Sequence, residues 1–286
     1  MDFKKGFKIK PKEIRKNGII LFTDGTNEMM PNEETCLAYG YKFQDGICRA
    51  FVPSLVVGKK ESSRGVAQVG TNDISSSRNS QVIGESNKIT ESSNSLVSGE
   101  SNVIDTGKSN ETDIGVNNIL VTGKMGRATH TNEFCIGGGG FNSEAGLLQY
   151  SVLQVSGKTT SDSNVDLYIN GDDEINKEIT LPTNSIILYE VFLSALCTGG
   201  SSGTAGEFIS NQWIGSVRSD NEGVISNTIT INRTLGSDGR SGLGSQAISV
   251  TTPTIFRIRV SGQANVNTQW HAVVKLHINK TNAVEI

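Results

Sequence analysis

The feature that constrains this chain most is an internal repeat between residues 61 and 140. Four segments align on a glycine: Gly70-Thr71-Asn72-Asp73-Ile74, Gly84-Glu85-Ser86-Asn87-Lys88-Ile89, Gly99-Glu100-Ser101-Asn102-Val103-Ile104 and Gly115-Val116-Asn117-Asn118-Ile119-Leu120. Each places Asn or Asp three residues after the glycine (Asp73, Asn87, Asn102, Asn118), and the glycines are spaced by 14, 15 and 16. A weaker unit ends at Phe134-Cys135-Ile136-Gly137. Self-similarity at a fixed period means stacked units, each burying its apolar side against the next. About fifteen residues, at ~3.3 Å each, supply two short strands and two turns, so each unit is expected to be a flattened two-sided roll. Val82, Ile83 and Ile89 serve one coil, and Leu96, Val97 and Ile104 the next. So thin an interior is marginal for one chain, and association of several chains about an axis is expected. Gly, Asn and Ser occupy the corners, where they tolerate special backbone angles. A disordered Ser/Asn/Gly linker would not keep apolar residues in register with its glycines.

Composition agrees with a strand-and-turn protein. Of 286 residues only 35% are hydrophobic, 6% aromatic and 19% charged, while 32 are glycine, which suits polar ladders better than a deep enzyme core. None of the five prolines lies between Pro53 and Pro182, which excludes a collagen-like or Pro-rich segment there. The net charge of −3 gives no basic field for nucleic acid. No apolar run reaches eighteen residues, so no membrane insertion by a helix is expected. The opening residues Met1–Lys10 lack the pattern of a secretory leader, and synthesis in the cytosol is the expectation. Cys36, Cys48, Cys135 and Cys197 are scattered without a C-x-x-C pair, which reads as reduced thiols rather than a zinc site or disulfide scaffold.

Residues 1–60 open with a basic arm containing Lys4, Lys5, Lys8 and Lys10. A strand at Gly18–Phe22 follows, then a hairpin in which Asp45-Gly46 separates Tyr39, Tyr41 and Phe43 from Ile47–Phe51. That turn sets Phe43 opposite Cys48 and leaves Cys36 beyond the strand end, so a Cys36–Cys48 bridge is allowed but not predicted. The stretch is too small to bury a good core and reads as a docking module. The basic arm lacks interleaved base-stacking aromatics and suits an acidic protein surface.

Residues 145–286 alternate with a period of two: Val165, Leu167, Ile169; Phe256, Ile258, Val260; and Trp270 through Ile278. This predicts an antiparallel sandwich, jelly-roll-like in size. Ile186–Leu196 is expected to be a strand buried on both faces. Glu190 within it is expected to pair with Arg257 or Arg259. Trp270 is a core residue; Trp213, on a strand face with Asn211 and Val217, is read as core or, alternatively, as the candidate receptor contact, exposed for glycan stacking.

Catalytic motifs are weak. Gly242-Leu243-Gly244-Ser245-Gln246-Ala247 fits G-x-G-x-x-A outside any βαβ unit, and Ser241 is not on a nucleophile elbow. His271 and His277 lie about 20 Å apart on one strand and cannot hold one ion within a chain. Asp172, Asp173 and Glu174 form a solvated turn that matches no calcium loop. No catalytic residue, metal or cofactor is therefore expected.

The phrasing Asn79-Ser80-Gln81-Val82-Ile83-Gly84 and Asn94-Ser95-Leu96-Val97-Ser98-Gly99 resembles the head repeat of YadA-type trimeric adhesins, which implies a left-handed parallel β-roll in a three-chain bundle. The same roll occurs in bacteriophage fibres. The basic arm, Thr23-Asp24-Gly25-Thr26-Asn27 and the Tyr-Gly-Tyr hairpin resemble the attachment region of crAss-like phage head or tail fibres. The expectation is an all-β homotrimer: a virion-docking module at 1–60 (Lys4, Lys5, Lys8, Lys10, Tyr39, Tyr41, Phe43), a β-roll stalk at 61–140 turning at Gly70, Asp73, Gly84, Asn87, Gly99, Asn102, Gly115 and Asn118, and a β-sandwich head at 145–286. Its partners would be other virion proteins and a host cell-surface glycan or protein. A purely structural decoration protein and a tailspike-type glycan depolymerase are the alternatives.

Overall fold

The structure is a computed structural model that describes residues 3–15, 18–44, 46–50, 66–104, 116–140, 144–171, 178–238, 246–251 and 254–281. Asp45, Gly115, the acidic turn at 172–174 and the glycine-rich loop at 239–245 lie outside the described residues. The chain divides into two compact units, Met1–Val56 and Val57–Ile286.

In the first unit, β1 (Lys10–Ile14), β2 (Ile20–Thr23) and β3 (Glu28–Met29) form an antiparallel sheet. A short helix, α1 (Glu33–Ala38), follows, with Asn32 accepting the Thr35 N–H at 2.9 Å as its cap. The hairpin of β4 (Lys42–Gln44) and β5 (Ile47–Arg49) pairs Phe43 with Cys48. Ile20, Phe22, Cys36 and Cys48 make a small core. Cys36 and Cys48 are joined in a disulfide, contrary to the expected reduced thiols. Sequence placed Cys36 beyond the strand end; α1 turns it back toward the hairpin, to a Cα–Cα distance of 5.6 Å. A cross-link suits a unit with so little apolar interior.

The second unit begins as a parallel solenoid. One side is formed by β6 (Ala67–Val69), β8 (Gln81–Glu85), β10 (Leu96–Glu100), β12 (Leu120–Lys124) and β14 (Phe134–Gly138). The other is formed by β7 (Asp73–Ser75), β9 (Lys88–Thr90), β11 (Val103–Ile104) and β13 (Arg127–Ala128). A single bridged column, Arg78–Ser93–Asn117, closes the third edge. The two sheets enclose Val82, Val97, Val121 and Cys135 facing Ile74, Ile89, Ile104 and Ala128. Each coil thus contributes about one apolar side chain from each side, the thin roll that its period predicts.

After β14 the chain changes regime. β15 (Leu148–Thr159) pairs antiparallel with β14 and extends the same sheet. A second sheet contains β16 (Asn164–Asp166), β17 (Ile179–Thr180), β21 (Gln246–Thr251) and β22 (Ile255–Ser261). The long strands β18 (Ser185–Gly199), β19 (Phe208–Ser219), β20 (Val224–Ser237) and β23 (Asn267–Lys280) complete a ten-stranded sheet in the order β20-β19-β18-β23-β15-β14-β12-β10-β8-β6. Its antiparallel half packs on the smaller sheet through Tyr189, Val191, Trp213, Trp270 and Val274 against Phe256, Ile258 and Val260. Tyr189 meets Phe256 edge-on at 5.1 Å between ring centroids. Consecutive strands β18, β19 and β20 are hairpin neighbours within one sheet, a meander instead of the expected jelly-roll crossing between sheets. β18 is a strand, but its burial alternates: Ile187, Tyr189, Val191, Leu193 and Ala195 point into the core while Ile186, Leu188 and Leu196 are exposed. Among the described residues only one layer covers this sheet, and only one face of β18 is buried.

Candidate functional site

The repeat residues form columns, in a register that differs from the sequence alignment. The glycine column is Gly70, Gly84, Gly99, Gly123 and Gly137, spaced by 14, 15, 24 and 14, so Gly123 and not Gly115 continues it. A Cβ on Gly99 would lie 1.9 Å from the Gly123 carbonyl oxygen, and its φ of +123° is one that side-chain-bearing residues rarely adopt. The inner asparagine column is Asn72, Asn87 and Asn102, each two or three residues past its glycine; Asp73 instead pairs with Lys88. Asn87 donates from Nδ2 to Asn72 Oδ1 and to the Gly99 carbonyl, both at 2.9 Å, and Asn102 N–H donates to Asn87 Oδ1 at 3.0 Å. Gly126 N–H ends the ladder on Asn102 Oδ1 at 2.8 Å. Asn118 belongs to a different column, left-handed corners shared with Asn79, Asn94 and Asn132. The longer third coil displaced the sequence alignment of that unit.

The outer face of the ten-stranded sheet carries a row of exposed apolar side chains. Val69, Ile83, Leu96, Leu120 and Ile136 are each 38–39% exposed and lie on adjacent strands. Across the β14–β15 junction the face continues, because Ile136 pairs with Tyr150, Tyr150 with His277 and His277 with Leu188. A shallow depression there is lined by Ile136, Leu148, Tyr150, Ile186, Leu188 and His277. One polar line crosses this face: Lys275 Nζ to Glu190 Oε2 at 2.9 Å, Gln212 Nε2 to Glu190 Oε1 at 2.6 Å, and Arg233 Nε to Gln212 Oε1 at 2.8 Å. The hydrogen bond from Lys275 holds the Glu190 carboxyl below its ordinary range. Glu190 therefore pairs with Lys275, not with an arginine; Arg257 bonds Glu178 and Arg259 bonds Asp166 on the smaller sheet.

A second site lies where the last coil meets the sandwich. Glu133 is buried there and accepts four hydrogen bonds: from Thr129 N–H (2.9 Å), His130 N–H (3.1 Å), His130 Nδ1 (3.2 Å) and Ser151 Oγ (2.7 Å). Burial opposes its charge, but these donors win and keep the carboxyl below its ordinary range. Thr180 N–H donates to His130 Nε2 at 2.9 Å, which leaves the imidazole proton on Nδ1, facing Glu133. A nucleophilic triad needs the serine hydroxyl on the imidazole. Here Ser151 bonds the carboxylate and the imidazole bonds a backbone amide, an arrangement that ties the last coil, β15 and β17 together. Burial and the neighbouring Glu133 charge push the Cys135 thiol up to about 12, so it is unreactive as folded.

The remaining expected site residues are dispersed. Lys5 and Lys8 are exposed, but Lys10 lies over the Phe3 ring at 4.9 Å, Lys4 over the Tyr39 ring at 5.4 Å, and Lys4 Nζ also donates to the Ala38 carbonyl. Tyr39 and Tyr41 stack edge-on against Phe22, and Phe43 packs against the same core, so the aromatics hold the small unit together. Trp213 is 1% exposed and lies in the sandwich core, which overturns its reading as an exposed glycan contact. Trp270 is in that core too, its Nε1 donating to Thr159 Oγ1 at 2.9 Å. His271 and His277 both stand on the outer face of β23, with His271 Nε2 3.2 Å from Gln154 Oε1. Sequence reasoning missed the Glu133 network. Its signal was a His and Glu three apart in the last repeat, where the first two coils carry the serine pairs Ser77/Ser80 and Ser92/Ser95.

The fold defines a class: a parallel β-solenoid whose sheet runs on into an antiparallel sandwich. No family model matches the chain, and no curated protein does. The solved structures to which the chain is similar include three tailspike proteins. That of Acinetobacter phage vB_ApiP_P1 has a TM-score of 0.27 at 10% identity, over 77% of this chain and 47% of that one. That of Acinetobacter baumannii phage AM24 has 0.25 at 7%, over 77% and 50%. The gp49 tailspike of Acinetobacter baumannii bacteriophage Fri1, described as a capsular polysaccharide depolymerase, has 0.26 at 8%, over 77% and 45%. The chain spans about half the length of these proteins.

Proposed function

We propose that this chain is a non-enzymatic subunit of a homotrimeric virion fibre. Its N-terminal module docks on other particle proteins, and its C-terminal sandwich meets a host surface glycan or protein. The observation that carries the reading is the outer sheet face, where Val69, Ile83, Leu96, Leu120 and Ile136 repeat in register on the outside of a roll whose interior is one side chain deep per sheet. Burying such rows against copies of themselves gains roughly 25 cal/mol per Å² of apolar surface, which a solenoid this thin lacks internally. The Lys275–Glu190–Gln212–Arg233 line crossing the same face would fix the register of packing chains. Three identical heads would convert weak single contacts into firm attachment. The Ser151–Glu133–His130 arrangement supports the non-enzymatic reading, since its hydrogen bonds are spent on cross-linking.

Sedimentation velocity of the full chain at micromolar concentration tests this. A species of three chains is expected, and Leu96→Glu with Leu120→Glu should shift it toward monomer without loss of strand content. A wild-type chain that sediments as a monomer overturns the proposal.

A further inference from the structure

The junction between the last coil and the sandwich contains a cleft of about 440 Å³, within the range of small-ligand sites. Arg127 on β13 lines it. Its backbone is clasped by Gln149: the Arg127 N–H donates to Oε1 at 2.9 Å, and Nε2 donates to the Arg127 carbonyl at 3.0 Å. The aliphatic stem lies against Gly146, where a Cβ would come within 3.0 Å of Arg127 Cβ and 3.4 Å of its Cδ. Base and stem are thus held, while the guanidinium has no ion-pair partner among the described residues. Lys280 shares the cleft and reaches Glu144 only at 3.6 Å. Glu133, the buried carboxylate beside it, is occupied by its own four donors.

A guanidinium held ready at a cleft wall suits a planar carboxylate, which it grips through two parallel hydrogen bonds. Around it Thr129, whose Oγ1 lies 3.1 Å from His130 Nδ1, and Thr183 carry hydroxyls, and Leu181 and Pro182 give an apolar wall. That mixture fits a ligand with polar edges and C–H faces. We propose that this cleft binds one acidic sugar residue, its carboxylate on Arg127, its hydroxyls toward the threonines and Lys280, and its ring face on Leu181 and Pro182. The site is built within one chain, so the inference does not depend on the fibre reading. A monomer that binds the sugar would sink that reading and leave this one standing.

Calorimetric titration of the full chain with glucuronate, its neutral amide glucuronamide, and sulfate is the test. Saturable binding of glucuronate is expected, with glucuronamide and sulfate at least about tenfold weaker, because one loses the charge and the other the ring. Arg127→Gln should weaken glucuronate at least about tenfold and leave the melting temperature unchanged. No saturable glucuronate binding, equal binding of glucuronamide, sulfate as tight as glucuronate, or an unaffected Arg127→Gln chain would each overturn the proposal. The contrast among the three ligands uses the unaltered protein, and so decides the matter even if the variant fails to fold.

Discussion

Replacing Asn87 with alanine tests the reasoning about the solenoid interior. Asn87 is fully buried, and its side chain links three coils. Truncation removes the bonds to Asn72 Oδ1 and the Gly99 carbonyl, each worth about 1 kcal/mol net. It also strands the Asn102 N–H, whose partner is Asn87 Oδ1, at a desolvation cost of about 1–3 kcal/mol. Asn102 Nδ2 loses one bond but keeps the Gly123 carbonyl at 3.0 Å, and the Asn72 amide oxygen keeps the Asn87 N–H at 3.0 Å, so neither adds a full penalty. The sum is about 3–5 kcal/mol. For a unit of this size that lowers the melting temperature by roughly 6–20 °C. Differential scanning calorimetry measures it, with Lys88→Ala on the exposed face of β9, in the opposite sheet, as a control expected within about 0.5 kcal/mol of the parent. An Asn87→Ala chain within about 1 kcal/mol of the parent would refute the claim that the asparagine column holds the coils together.

Two further outcomes are expected. Because the Glu133 carboxyl is held below its ordinary range, its contribution to stability is complete above the unfolded value near 4.5 and fades as pH falls through the lower folded value. Urea unfolding at pH 7 and pH 3 should show that acid-linked loss in the parent and a smaller one in Glu133→Gln. Reducing the Cys36–Cys48 disulfide, whose cysteines are 12 residues apart, should destabilise the N-terminal unit by about 2–3 kcal/mol, read as earlier proteolysis of that unit under dithiothreitol.

The all-β class, the flattened roll and its inward residues Val82, Ile89, Val97 and Ile104 were legible in the sequence, but Ile83 and Leu96, expected inside with them, face outward because adjacent strand residues point to opposite faces. Glycine spacing and period-two alternation are local, and each side chain's face follows from its neighbours one or two residues away. The tertiary structure decided what lies farther apart. A longer third coil moved the glycine column from Gly115 to Gly123, which no spacing rule could show, because an insertion changes the count without changing the stack. Alternation placed Trp213 on a face but could not say which face the second sheet would cover, and that sheet covers Trp213. The Cys36–Cys48 bridge, the Glu133 network and the fusion of solenoid and sandwich into one sheet all join residues brought together only by folding. Such contacts depend on the path of the whole chain, and a local pattern does not contain that path.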